Sequence, residues 1–248
     1  MRSSVVAVLL VGACGRIAFD PVASTSDASP DGMRDGPILP SGAVLYLPFE
    51  SPPVGSAVVD VVRGHAVSCR TTCPTLTTGR RGSAYAFNSA GPDVLEVPYL
   101  ADLDPSAGFT IAVWIRMNVL PTTQYYCVLG KPVGAGTFNS HALCVENTGD
   151  AFYHSGTTAG TDNVTGSVVP ILQWHHLAMT WDGTTKRGYL DGVPDGMRAV
   201  SVENDANPIV VGADLNSGAP AYPLDGALDE VLVFDRPLSV SEIQTLAQ

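Results

Sequence analysis

The chain is short of charge, and of positive charge above all. Only 15% of its 248 residues are Asp, Glu, Lys or Arg, and 24 acidic side chains face 13 basic ones, a formal net charge of −11. No basic run offsets that balance. Nucleic acid, which proteins hold largely through Lys and Arg contacts to phosphate, is therefore not an expected partner. Neither is anionic lipid bound through a basic patch. Long apolar runs are missing too: Val5–Val11 falls far short of the ~20 residues a spanning helix needs. No two C-x-x-C units are present to make a zinc pairing. The chain has no G-x-S-x-G elbow and no H-E-x-x-H, and Gly134-Ala135-Gly136 continues as Thr137-Phe138-Asn139 without the helix of a nucleotide-binding loop.

What is present begins with five cysteines, an odd number. Met1-Arg2-Ser3-Ser4 supplies one positive charge, Val5–Val11 a short apolar core, and Gly12-Ala13 two small residues before Cys14. That is the layout of an export signal. Val11-Gly12-Ala13-Cys14 resembles the lipobox of bacterial lipoproteins, with Val11 where leucine is more usual. The resemblance implies cleavage after residue 13, a diacylglycerol on Cys14, and, with Gly15 rather than aspartate following, an outer-membrane destination. Losing residues 1–13 removes only Arg2 among charged side chains, leaving the chain one unit more negative than −11. Two or three acyl chains exceed the marginal hold of one, so the anchor is stable.

The other four cysteines, Cys69, Cys73, Cys127 and Cys144, are an even number in an oxidising compartment and read as two disulfides. Three pairings are open. The local one, Cys69–Cys73 with Cys127–Cys144, is favoured, because neighbouring antiparallel strands joined through Lys131–Ser140 bring the latter two within bridging distance.

Residues 14–42 are dominated by Ser, Asp, Pro and Gly and read as a flexible linker. From residue 43 onward short apolar segments alternate with turns. Ala43–Phe49, Ser83–Asn88, Val94–Val97, Phe109–Val119, Tyr125–Leu129, Ala142–Glu146, Trp174–Trp181, Lys186–Leu190, Pro208–Val211 and Ala227–Phe234 read as strands. Ile111, Val113, Ile115 and Met117 share one face, as do His175, Leu177, Met179 and Trp181. Asp182-Gly183 and Asp191-Gly192 are hairpin signals. Ser239-Val240-Ser241-Glu242 is a capping box with Leu238 and Ile243 as its staple, so a short helix closes the chain. Many strands with regular turns indicate an all-β, two-sheet antiparallel β-sandwich.

The stretches VLYLPFE, GFTIAVWIRM, WHHLAMTWDGTTKRGYLDG and GALDEVLVFDRPLSVSEIQTL, in that order, resemble the concanavalin A-like jelly rolls of the laminin-G and pentraxin kind across residues 43–248. The resemblance implies two curved sheets, a binding role toward sugars or proteins, and calcium at one edge. Matched residue by residue, it makes Glu50, Asp60 and Asp229 the candidate calcium ligands. Glu50 stands in Phe49-Glu50-Ser51 where relatives carry an aspartate. The turn after Asp60 lacks the expected serine-glycine.

Glycoside hydrolases of this fold class place acids at alternate strand positions so that they share a face. Asp229 and Glu230 are adjacent, so alternation turns them apart, and no enzyme is expected. His175 and His176 likewise point to opposite faces and read as structural, His175 in the core. Binding is expected at long loops, Lys131–His141, His154–Pro170 and Gly212–Pro223, with Phe138, Asn139 and Tyr222 as the candidate sugar contacts. The resulting expectation is an outer-membrane lipoprotein presenting one binding module, its partner a glycan. The alternatives are an envelope protein-interaction module without sugar affinity and, more remotely, a degenerate glycoside hydrolase.

Overall fold

Strands take the places where β-branched and aromatic residues alternate, and the computed structural model, which describes residues 38–104, 107–136 and 138–248, sets them in two large antiparallel sheets. These residues belong to one compact unit, Gly32–Gln248. Cys14 and the signal and linker readings up to residue 37 lie outside the described residues. Among the described residues no helix is long and apolar enough to cross a membrane.

In chain order the strands are β1 (Ala43–Leu47), β2 (Ala57–Val58), β3 (Val67–Cys69), β4 (Thr75–Thr78), β5 (Ser83–Phe87), β6 (Leu95–Val97), β7 (Phe109–Met117), β8 (Tyr125–Val133) and β9 (Phe138–Glu146). They continue as β10 (Asp150–Thr157), β11 (Gly160–Val168), β12 (His175–Trp181), β13 (Thr185–Leu190), β14 (Val193–Ala199), β15 (Ile209–Val211), β16 (Asp214–Asn216), β17 (Ala219–Ala221) and β18 (Gly226–Phe234). The first sheet runs β14-β13-β12-β7-β18-β5-β4, with β1 also paired to β18, and the second runs β11-β10-β9-β8-β15-β6-β3-β2. β16 and β17 form a separate hairpin.

The core lies between the sheets. Phe109, Ile111, Val113, Ile115 and Met117 of β7 and Leu177, Met179 and Trp181 of β12 meet Tyr126, Val128, Leu143, Val145 and Tyr153 from the second sheet. The alternation read from β7 and β12 is the one the structure uses. Gly188 stands where a Cβ would overlap the Tyr153 ring, so that ring packs directly on the glycine backbone. Asp191 and Gly192 both take positive φ (50° and 77°), the backbone a two-residue turn between right-twisted strands requires.

Outside the first sheet, α1 (Val240–Leu246) begins at the Ser239 capping box, with Glu242 reaching back to the Ser239 N–H at 2.8 Å. Leu238, Ile243 and Leu246 pack on Tyr46, Ala112, Ala178, Tyr189 and Leu232. Burying three such side chains contributes about 1.5–3 kcal/mol each. Both local disulfides are formed, Cys69–Cys73 and Cys127–Cys144.

Three expected loops are mostly strand. Lys131–His141 is taken up by the ends of β8 and β9, His154–Pro170 holds the β10–β11 hairpin, and Gly212–Pro223 holds the β16–β17 hairpin. β11 is an edge strand with little buried surface, so it carries no hydrophobic alternation to read. The histidine assignment also changes. His176 is the fully buried one, edge-on to Trp114 at 5.4 Å, while His175 at the strand end bonds Asp191 at 2.8 Å.

Candidate functional site

Two outer faces carry polar chemistry. On the first sheet, β18 contains a bulge between Asp229 and Leu232, with Glu230 at φ 54°. A bulge places two successive residues against one partner and breaks alternation. Asp229 and Glu230 therefore both project outward beside Tyr46 and the turn Gly79–Gly82, contrary to the strict alternation expected for them. Glu230 accepts the Tyr46 hydroxyl at 2.8 Å and lies 3.8 Å from Arg81. Asp229 Oδ2 accepts the Arg81 N–H at 3.0 Å. Asp229 Oδ1 and Glu230 Oε1 are buried without a hydrogen-bond partner among the described residues. Burial, and then the nearby carboxylates, push both carboxyl groups up to about 7. Glu50 reaches the same turn, accepting the Ser83 N–H at 3.1 Å.

Asp60 does something else. Its carboxylate accepts the backbone N–H groups of Tyr46, Val62, Arg63 and His65 at 3.0–3.2 Å and lies 3.0 Å from His65 Nδ1. Those donors fill its acceptor sites and fix the loop after β2. Glu50 and Asp229 come together; Asp60 serves its own loop. Among the described residues no group of three or more His, Cys, Asp or Glu side chains is placed to hold a metal ion.

The second outer face lies on β8–β11. Cys127 pairs with Cys144, Cys144 with Phe152, and Phe152 with Thr165; one layer on, Gly130 pairs with Ala142, Ala142 with His154, and His154 with Asn163. The bridged cysteines, Ala142 and Phe152 form an apolar patch joined by Tyr125 and Tyr222. Tyr125 stacks on Phe152 at 4.8 Å and meets Tyr222 edge-on at 5.3 Å.

A register shift in the β8–β9 pairing, where Lys131 and Pro132 face His141 and Asn139, turns Asn139 onto this same face. Asn139 donates from Nδ2 to Asp214 Oδ2 at 2.7 Å, and Asp214 Oδ1 accepts the Leu215 N–H at 2.7 Å. A Cβ built on Gly130 would stand 3.5 Å from Asp214 Oδ1 and 3.7 Å from Asn139 Oδ1, so two oxygens converge over that glycine. Asn139 Oδ1, His154 Nε2 and Asn163 Oδ1 are all buried with no hydrogen-bond partner among the described residues. Burial, and then the Lys186 charge beneath, push His154 down to about 4, so it is neutral at neutral pH.

Of the three expected sugar contacts, the structure brings Asn139 and Tyr222 to this face. Phe138 is half-buried and, next to Asn139 in β9, points the other way. Tyr125, Phe152, His154, Asn163 and Asp214 were not among the expected residues. The Cys127–Cys144 pairing gives the signal for one of them: residue 125, two before Cys127, shares its face.

A family model described as the concanavalin A-like lectin/glucanases superfamily matches residues 89–244. No curated protein matches the chain. Solved structures do. Domain 4 of AbnA, a GH43 extracellular arabinanase from Geobacillus stearothermophilus, solved with arabinotriose, is 18% identical at TM-score 0.62, over 83% of this chain and 98% of that domain. Trypanosoma rangeli sialidase with the inhibitor DANA is 20% identical at TM-score 0.65, over 85% of this chain and 33% of the sialidase. A botulinum neurotoxin type C structure, from work on its interaction with two ganglioside molecules, is 13% identical at TM-score 0.64, over 83% and 50%. The chain thus spans a third of the sialidase and half of the neurotoxin chain. At these identities the likeness is one of fold.

Proposed function

This chain belongs to the concanavalin A-like lectin/glucanase superfamily, and on that premise we propose that its sandwich is a carbohydrate-binding module. The observation that carries the reading is the outer face of β8–β11. Aromatic side chains there lie beside hydrogen-bonding atoms that have no partner among the described residues. A sugar needs both: rings to cover its apolar C–H faces and converging polar groups for its hydroxyls. Fold alone does not give a ligand. The arabinotriose and ganglioside of the similar structures support the class.

The role is binding rather than catalysis. Two carboxylates share the other outer face, but both are buried and engaged, Glu230 by the Tyr46 hydroxyl and Asp229 by the Arg81 N–H. Calcium, as proposed here, rests on Glu50 and Asp229 with carbonyls of the Gly79–Gly82 turn, oxygen donors of the kind calcium takes. Asp60 is left to its loop. The module is carried as a lipoprotein, tethered to the outer membrane through Cys14 and residues 15–42. Incorporation of a fatty-acid label that disappears in Cys14→Ser tests the anchor.

A glycan array, followed by titration calorimetry on the best member, tests the function. The expected result is binding that falls at least about tenfold in Tyr222→Ala with the unfolding midpoint held. No binding to any glycan overturns it. The competing reading is a protein-interaction module, favoured by one observation. Leu120 and Val168 both lie against Gly149, with Val119 and Leu172 exposed near them, an apolar end to the sandwich.

A further inference from the structure

The geometry points to a charge selection built into the β8–β11 face: it takes neutral, hydroxyl-rich glycans and turns away anionic ones. This rests on reading that face as the sugar site. Its first support is the direction of the hydrogen bonds. A carboxylate only accepts, so Asp214 fixes the Asn139 amide with Nδ2 toward it and leaves Oδ1, an acceptor, unsatisfied. Asn139 is 5% exposed and Asp214 8%. Asn163 offers a second unsatisfied amide oxygen across from His154. A group that satisfies either acceptor must donate, as a sugar hydroxyl does. A carboxylate or sulfate has no proton to give.

The second support is the charge around the site. Glu146 stands opposite Tyr125 in the β8–β9 ladder, and Asp150 lies two residues before Phe152 on the same face. With Asp214 they make three carboxylates, and none of the three takes part in an ion pair among the described residues. The nearby cations are already engaged. Arg198, which donates to the Asn163 carbonyl at 3.4 Å, is paired with Asp162 at 2.9 Å. Arg70, which holds the tip of the β16–β17 hairpin through the Gly218 carbonyl, is paired with Glu96. Lys131 gives its ammonium to the carbonyls of Asp205 and Asn207, both at 2.8 Å, and Lys186, beneath His154, gives its own to the Tyr153 carbonyl at 2.7 Å and the Ser155 hydroxyl at 2.9 Å. An anionic sugar would meet like charges with no free guanidinium or ammonium near the face among the described residues, an arrangement that costs affinity more than neutral contacts return.

The test uses the full chain on an array that pairs each neutral oligosaccharide with its sialylated, uronic or sulfated counterpart, at 0.05 and 0.5 M NaCl. The expected result is binding to neutral members, with charged counterparts weaker by at least about tenfold at low salt and the gap narrowing at high salt. The double variant Glu146→Gln/Asp150→Asn is expected to keep neutral affinity and narrow the low-salt gap. A charged member bound as tightly as its neutral parent overturns the selection while leaving the sugar reading standing. Failure of every member overturns both.

Discussion

Asn139 Nδ2 lies 2.7 Å from Asp214 Oδ2, a hydrogen bond between two buried side chains 75 residues apart in sequence that joins the β9 bulge to the β16–β17 hairpin. It holds the hairpin against the outer face of the second sheet. Asn139→Ala removes the donor and leaves a buried carboxylate oxygen unsatisfied, a loss of about 1–3 kcal/mol. The expected outcome is an unfolding free energy lowered by that amount, read as a lower chemical-denaturation midpoint with the slope unchanged. An unaltered midpoint would show that solvent already serves Asp214.

The two disulfides differ in what they close. Cys127–Cys144 spans 17 residues and forms the floor beneath Tyr125 and Phe152; Cys69–Cys73 spans four. A longer closure removes more freedom from the unfolded chain. Cys127→Ser/Cys144→Ser is expected to cost about 2–4 kcal/mol and to weaken glycan binding, and Cys69→Ser/Cys73→Ser to cost clearly less and leave binding alone. Denaturation of the two double variants, with binding measured alongside, decides this. Equal losses would rule out the closure argument.

How much of this was legible in the sequence follows from periodicity. β7 could be read because every second residue from Phe109 to Met117 is apolar and meets the core. β10 and β11 could not, since HSGTTAGTDNV has no apolar alternation and its outer edge is solvated. The bulges at Asn139–His141 and Asp229–Leu232 are harder still, because reading a strand at period two assumes their absence. Both candidate faces depend on a bulge: one turns Asn139 outward, the other sets Glu230 beside Asp229. The terminal helix was legible to the residue, because a capping box is a local device that owes nothing to register.

His176 is buried against Trp114, and burial, with the nearby Arg81 charge adding, pushes its imidazole down to about 4 despite Asp191 acting the other way. In the unfolded chain it titrates near 6.5. Between those values the unfolded state binds the extra proton, so its contribution is fully present above about pH 6.5 and is lost as pH falls toward 4. His176→Gln removes this proton. The stability difference between wild type and variant should therefore shrink by about 1.2 kcal/mol between pH 6 and pH 5. Parallel pH profiles would mean that His176 is already charged in the fold.

Glu50 and Asp229 converge on the Gly79–Gly82 turn, yet Asp229 already accepts the Arg81 N–H, and Arg81 lies 3.8 Å from Glu230. Calcium must then compete with a backbone amide for Asp229 and with the guanidinium for Glu230. Its advantage is that Asp229 Oδ1 and Glu230 Oε1 have no partner among the described residues, and a divalent ion relieves two buried acceptors at once. A ligand that binds only the folded state raises the unfolding midpoint with concentration. Adding millimolar calcium to chelator-treated protein should therefore raise the midpoint by several degrees, and Asp229→Asn should abolish the rise while folding normally without calcium. Magnesium serves as the control, because its tighter octahedral shell suits this shallow, backbone-rich turn poorly. An equal shift with both ions would indicate general screening of the carboxylates. No shift with either would leave Arg81 as the cation that neutralises this face.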